Sequence, residues 1–162
     1  MTRAVLSLGS NLGDRFAFLQ GAVTGFADQL VAVSPVYETA AWGVADQPDF
    51  LNAVVIVRAD DVDEWGWLTR GQRLENEAGR VRTLHWGPRT LDVDVVTVDG
   101  VTSEHPDLLL PHPGTPDRAT VLIPWLDIEP DAVLPGHGRV ADVMAGLSAE
   151  GVRRRDDLRL EW

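Results

Sequence analysis

Apolar and polar positions follow two rhythms along the chain. Residues 3–8 (RAVLSL) read as a short buried strand, and the run GSNLGD after it reads as a turn. Phe16, Leu19, Val23, Phe26 and Leu30 then recur at i, i+3, i+7, i+10 and i+14. That spacing is one stripe of an amphipathic helix over 14–30, with Asp14 as its N-cap. Residues 31–38 (VAVSPVYE) look like a strand, and Pro35 inside it argues for an edge position. Residues 39–49 lack periodicity and read as a long loop, and 50–58 (FLNAVVIVR) as a strand. A second helix is predicted over 61–78, capped by Asp60 or Asp61, with Asp63 and Glu64 at the positive end of its dipole. Gly66 and Gly71 weaken it, so packing of Trp65, Trp67, Leu68 and Leu74 must hold it.

Residues 79–90 form another irregular loop, and 91–98 (LDVDVVTV) a strand ending at the hairpin signal Asp99-Gly100. Residues 104–117 carry four prolines and little regular structure. A short helix is expected at 117–123. Another spans 139–147, with Val140, Val143, Met144 and Leu147 on one face. The order β-α-β-β-α-β predicts an α+β, ferredoxin-like antiparallel sheet with helices on one face, plus C-terminal additions. The expectation is a single domain over 1–162, with 150–162 a charged tail.

Composition removes whole classes of chemistry. The 162 residues are 44% hydrophobic and 24% charged, ordinary for a chain that buries a core. Cysteine is absent, which excludes disulfides, thiolate zinc sites and cysteine nucleophiles. All 14 basic residues are arginine, so there is no lysine Schiff base and no Walker-type lysine. Any phosphate must be held by arginine, backbone N–H groups, histidine or a metal. A net charge of −11 argues against nucleic-acid binding. No apolar run is long enough to span a bilayer, and the N-terminus lacks a signal-peptide layout, so a cytoplasmic protein is expected. A monomer is expected separately from this.

The sharpest chemical feature is Trp86-Gly-Pro-Arg-Thr-Leu-Asp92-Val-Asp94. Residues two apart on a strand share a face, so Asp92 and Asp94 point together. A pair of Mg2+ ions would relieve their repulsion and could take phosphate oxygens as further ligands. The alternative is a solvated strand face. Arg80, Arg82 and Arg89 lead into the pair and suit a polyphosphate. Asn52 offers a donor and an acceptor to a heterocycle edge, and Trp42, Phe50 and Trp86 offer flat surfaces, or else core packing. Gln72 and Glu75, at i and i+3, interrupt an apolar stripe and either face a ligand or mark the end of the stripe. His112 sits in PHP, where a phosphate contact and simple exposure both remain open.

Six motifs together resemble a known family. They are Gly9-Ser-Asn-Leu-Gly-Asp14, Tyr37-Glu-Thr39, Asp46-Gln-Pro-Asp-Phe50-Leu-Asn52, Gly79-Arg-Val-Arg82, the Trp86–Asp94 block and Leu110-Pro-His112-Pro. Their order over 3–130 is that of hydroxymethyldihydropterin pyrophosphokinase. The resemblance implies transfer of the pyrophosphoryl group of ATP to 6-hydroxymethyl-7,8-dihydropterin, with AMP leaving, in folate synthesis. It implies two Mg2+ ions on Asp92 and Asp94, and a pterin pocket lined by Thr39, Trp42, Phe50, Asn52 and Trp86. It places Gln72, Glu75, Arg80, Arg82, Arg89, His112 and Arg118 around ATP, with Arg82 and Arg89 also catalytic beside the two aspartates. Loops at 9–14, 39–49 and 79–90 would close over the substrates. The chain departs from the family pattern at Ala40, His85, Asp107, Leu109 and Thr120. A non-catalytic ligand-binding domain of the same fold, or another Mg-dependent phosphotransferase, would share many of these features.

Overall fold

A computed structural model of the chain describes residues 1–39, 48–79 and 90–162. Strands β1 (Thr2–Ser10) and β4 (Phe50–Ala59) pair antiparallel along their length, from Thr2 opposite Ala59 to Ser10 opposite Leu51. On the far side of β1 lies β5 (Asp92–Val98), also antiparallel. On the far side of β4 lie two short strands, β2 (Leu30–Val33) and β3 (Tyr37–Thr39). The last strand, β10 (Val152–Arg154), pairs with β3. The order β10-β3-β4-β1-β5, with β2 also on β4, is the expected ferredoxin-like sheet with one strand added.

The predicted strand over 31–38 is broken in two. Pro35 cannot donate to a ladder, so pairing stops there. Ser34 bridges the gap: its N–H donates to the Val54 carbonyl at 2.9 Å, and its Oγ accepts from Val54 N at 2.8 Å. The edge expectation holds for β2, whereas β3 continues into β10.

Side chains alternate across the strands and build two cores. Ala4, Leu6, Leu8, Leu51, Val55, Val57, Val93 and Val95 form one with α1 (Arg15–Gly25) and α2 (Glu64–Glu77). Val5, Val54, Ile56 and Val96 form the other with α3 (Ala119–Ile128) and α4 (Val140–Ala145). The two helices of the ferredoxin-like unit share one face, as expected, and the C-terminal additions cover the opposite face and make three layers.

Helix α1 starts as expected, with Asp14 Oδ1 accepting from Ala17 N at 3.1 Å. It ends at Gly25, and a 3-10 turn at Ala27–Gln29 takes up the rest of the predicted span. Helix α2 is capped by Asp63, whose Oδ1 accepts from Gly66 N at 2.8 Å, rather than by Asp60 or Asp61. Trp67 is fully buried and donates from Nε1 to Thr2 Oγ1 at 2.8 Å. Trp65 instead stays 37% exposed, edge-on to His105 at 4.9 Å between ring centroids. Gly71 is needed for contact: a Cβ there would stand 2.9 Å from Val93 Cγ1, so its absence lets α2 reach β5.

The proline-rich stretch is more regular than its sequence suggests. β6 (Ser103–His105) and β7 (Leu108–Leu110) form a hairpin that buries Leu108 and Leu110. Helix α3 outruns the predicted 117–123 and passes through Pro124. Burial of Val121, Leu122, Pro124 and Trp125 on the sheet offsets the backbone bond that proline removes. A two-residue pair, β8 (Val133–Leu134) with β9 (Gly138–Arg139), leads into α4.

The charged C-terminus is docked. Beyond β10, Arg155 N donates to the Val36 carbonyl at 2.8 Å, and Leu158 and Leu160 pack on the α1–α2 core. Gln20 on α1 exchanges two 2.8 Å hydrogen bonds with the Glu161 backbone. Among the described residues no helix is long and apolar enough to cross a membrane.

Glu38 on β3 has a side chain only 9% exposed, and Arg15, Arg153 and Arg155 converge on it. Burial alone would raise its carboxyl, but the hydrogen bond and charge of Arg15, with the charges of Arg155 and Arg153, hold it below the ordinary glutamate value. The unfolded chain therefore binds more protons than the folded one as the pH drops. This contribution to stability is present above the unfolded value and lost as the pH falls through the folded one. Urea unfolding across pH should show wild-type stability falling steeply below about pH 5. Glu38→Gln should be less stable at neutral pH and show a shallower acid limb.

Candidate active site

The face that α3 and α4 cover is only partly covered. Continuing along the same strands past Val5, Val54 and Val96, its residues become Ser7 and Gly9, Asn52 and Phe50, and Asp94 and Asp92. The register puts Tyr37, Asn52, Gly9 and Asp92 in one row across β3, β4, β1 and β5. Side chains directly opposite one another share a face. Phe50, Asn52, Asp92 and Asp94 are half-buried, while Thr39 is buried.

The β3–β4 side carries the residues expected at a heterocycle. Asn52 Nδ2 donates to Thr39 Oγ1 at 2.8 Å, which orients the amide, and Phe50 lies directly opposite Thr39. Tyr37 closes the inner end. Its hydroxyl donates to Asp127 on α3, and burial together with that bond pushes its pKa up to about 12, against the opposing charge of Arg154.

The β5 side carries the acidic pair. Asp92 lies opposite Gly9 and Asp94 opposite Ser7. Arg118, just before α3, brings Nη1 to 4.0 Å from Asp94 Oδ2. His112 is anchored by its backbone N–H, which donates to the Val96 carbonyl at 2.9 Å, and its Nδ1 accepts from Gly114 N at 3.2 Å. Burial and then the charge of Arg118 hold His112 below the ordinary histidine value, against the pull of Asp92. A neutral ring accepting at Nδ1 carries its proton on Nε2, a donor suited to an anion.

Gly9 separates the two sides. A Cβ at this position would meet Asn52 Oδ1 at 3.3 Å and Phe50 Cδ1 at 3.6 Å. Glycine therefore leaves the floor between amide and carboxylates clear. Two strand spacings separate Asn52 from Asp92, or roughly 10 Å.

The structure thus brings together Thr39, Phe50, Asn52, Asp92, Asp94, His112 and Arg118. Two expected ATP residues lie on α2. Gln72 is exposed, while Glu75 is buried, and its Oε2 accepts from Val93 N at 2.9 Å. Val93 lies between the two aspartates, so Glu75 ties α2 to the strand that presents them. Trp42, Arg80, Arg82, Trp86 and Arg89, with the departures Ala40 and His85, lie outside the described residues. The spacer role of Gly9 and the Tyr37–Asp127 contact are absent from the sequence reading. The register of three strands creates the first and a distant helix the second, and neither leaves a local signal.

Among the described residues no group of three or more His, Cys, Asp or Glu is arranged to hold a metal. The two half-exposed carboxylates nevertheless fit Mg2+, a hard cation that binds through one or two protein carboxylates and completes its shell with water and phosphate.

Comparisons with known proteins place the chain in a family. A family model described as 7,8-dihydro-6-hydroxymethylpterin-pyrophosphokinase matches residues 5–130. The chain is 48% identical to a 2-amino-4-hydroxy-6-hydroxymethyldihydropteridine pyrophosphokinase of Mycobacterium leprae, over 99% of this chain and 89% of that protein. It is 38% identical to the protein of that name from Pseudomonas aeruginosa, over 94% of this chain and 96% of that one. Among solved structures, it matches a Plasmodium falciparum HPPK-DHPS triple mutant crystallised with pteroate, with a TM-score of 0.69 at 15% identity. That match covers 94% of this chain but 46% of the other, so this chain spans under half of the solved protein, and the likeness supports the fold alone. The chain belongs to the 7,8-dihydro-6-hydroxymethylpterin-pyrophosphokinase family.

Proposed function

We infer that the chain transfers the pyrophosphoryl group of ATP to the hydroxymethyl group of 6-hydroxymethyl-7,8-dihydropterin, in folate synthesis. Family membership supports the reaction. The observation that carries it structurally is the row Asn52–Gly9–Asp92, with a hydrogen-bonding amide at one end and a carboxylate pair at the other. The hydroxymethyl oxygen attacks the β-phosphorus of ATP. The bond from that phosphorus to the α–β bridging oxygen breaks, AMP leaves with the oxygen, and the hydroxyl proton is released.

The site residues then take the following roles. Asn52, oriented by Thr39, binds the polar edge of the pterin, and Phe50 lies against its ring. Trp42 and Trp86 complete the pterin pocket by resemblance. Asp92 and Asp94 would hold two Mg2+ ions, which when bound neutralise charge along the phosphate chain. Arg118 and the Nε2–H of His112 approach the phosphates from the α3 side. Arg80, Arg82 and Arg89 join them by resemblance, with Arg82 and Arg89 stabilising the transferring group. Gln72 and Glu75 are assigned to ATP by resemblance, and Glu75 also fixes β5 through Val93 N. The chemistry is positioning plus charge neutralisation, and no dedicated general base is assigned.

Labelled ATP tests the reaction. With 32P at either the β or the γ position, the label should move to the pterin and leave the AMP unlabelled. Transfer of the γ label alone, with ADP formed, would replace this reading with an ordinary phosphotransferase. Binding of both substrates without transfer would replace it with a binding domain. Within the site, Asn52→Ala should raise the KM for the pterin by about 10–100-fold and leave the KM for ATP within about twofold. Steady-state kinetics in each substrate checks the split.

A further inference from the structure

Glu38 and its three arginines lie on the reverse side of the sheet from Asn52, because Glu38 pairs with Leu51 of the α1–α2 core. Glu38 Oε2 accepts from Arg15 Nη1 at 2.7 Å. Its Oε1 accepts from Arg155 Nη1 at 3.3 Å and from Arg153 Nη2. Alternation along β10 turns Arg153 and Arg155 toward Glu38, and Arg154 toward Tyr37.

The same guanidinium groups reach a second stretch of chain. Arg15 Nη1 also donates to the Asp49 carbonyl at 2.8 Å, and Arg153 Nη2 stands 4.0 Å from Asp49 Oδ2. Asn11 Nδ2 donates to the Pro48 carbonyl at 3.2 Å. Glu38 precedes Thr39, and Asp49 precedes Phe50. One charge cluster thus grips the chain beside both residues that frame the Asn52 amide. β3 has only three residues and is cut off from β2 at Pro35, so its pairing with β4 is intrinsically weak. Support must come from its other side, where Val152 pairs with Thr39.

We propose that the C-terminal strand is a positioning element for the pterin side of the site: Arg153 and Arg155, acting through Glu38 and Arg15, set the placement of Thr39 and Phe50 and so the presentation of Asn52. This rests on the pterin reading above. Glu38 is buried, so removing Arg153 and Arg155 leaves its carboxylate held by Arg15 alone and loosens the hold on β3 from the β10 side. The acidic pair, two strands away on β5, is not part of the cluster.

The test uses the full chain carrying Arg153→Gln with Arg155→Gln. Its readouts are pterin binding by fluorescence, ATP binding by calorimetry, and thermal unfolding. The pterin Kd should rise about tenfold and the ATP Kd should change less than twofold. Adding Glu38→Gln should cost no further pterin affinity, because the three groups act as one unit. Lysine at 153 and 155 should restore part of the loss. An unchanged pterin Kd in a folded variant overturns the proposal. So does an equal loss of pterin and ATP affinity together with a lower Tm, which means the strand only holds the fold. If the double variant does not fold, Arg153→Gln decides by the same split, since that side chain is 66% exposed. A wild-type chain that binds pterin but forms no AMP removes the kinase reading, and the binding split still decides this one. A wild-type chain that binds no pterin sinks both.

Discussion

Asp92→Ala and Asp94→Ala are each expected to lower kcat by about a thousandfold or more, with a Tm within about 3 °C of wild type. The two effects separate because the carboxylates are half-buried at the open end of a face whose covered part is apolar. Removing one takes no atoms out of either core. Val93, between them, and Val95 hold β5 in place, and Glu75 bonds to Val93 N. Asp92→Asn should lose most of the activity too, since it keeps the shape and removes the charge a hard cation needs. Single-turnover rates with saturating ATP and Mg2+, beside thermal unfolding, read both quantities. Unfolding of these variants would mean that the pair is structural and that the metal assignment is wrong.

Gly71→Val is expected to destabilise the fold by about 2–3 kcal/mol. A Cβ at Gly71 alone would stand 2.9 Å from Val93 Cγ1 and 3.2 Å from Val93 Cβ. Valine adds two methyl groups in the same space, and both side chains are stiff at χ1. α2 must then lift from β5. Because Glu75 joins the same helix to Val93 N, the lift also disturbs the aspartates on either side. The loss should therefore appear in urea unfolding and in a lower kcat. Val93→Ala makes room, so the double variant should be more stable than the sum of the two single losses, by about 1 kcal/mol or more. Strict additivity would show that the helix and strand do not press on each other at this point.

The sheet and the shared face of the two aspartates were largely legible in the sequence, because both depend on local patterns. Period-two alternation marks β5 and puts Asp92 and Asp94 on one face, and Asp14 caps α1 as a capping residue should. What escaped depends on distant partners. Helix α3 is apolar on most sides and contains Pro124, so it shows neither a clear stripe nor an uninterrupted span. Trp65 looks like core by type, yet the turn of α2 places Trp67 inward instead. Arg153 to Arg155 read only as part of a charged tail. Only the pairing with β3 shows that alternate arginines meet a buried glutamate. The helical glycines signalled weakness by propensity, whereas Gly71 marks close approach.

The central claim is that the substrates meet on the uncovered part of one sheet face, the pterin against Asn52 and the phosphate chain against Asp92 and Asp94, with Gly9 between them. A crystal structure with 6-hydroxymethylpterin, α,β-methylene-ATP and Mg2+ tests it most directly. The account predicts the pterin edge hydrogen-bonded to the Asn52 amide, and metal ions ligated by both aspartates over the β5 end of the row. A pterin or metal bound elsewhere, with this face empty, would contradict it.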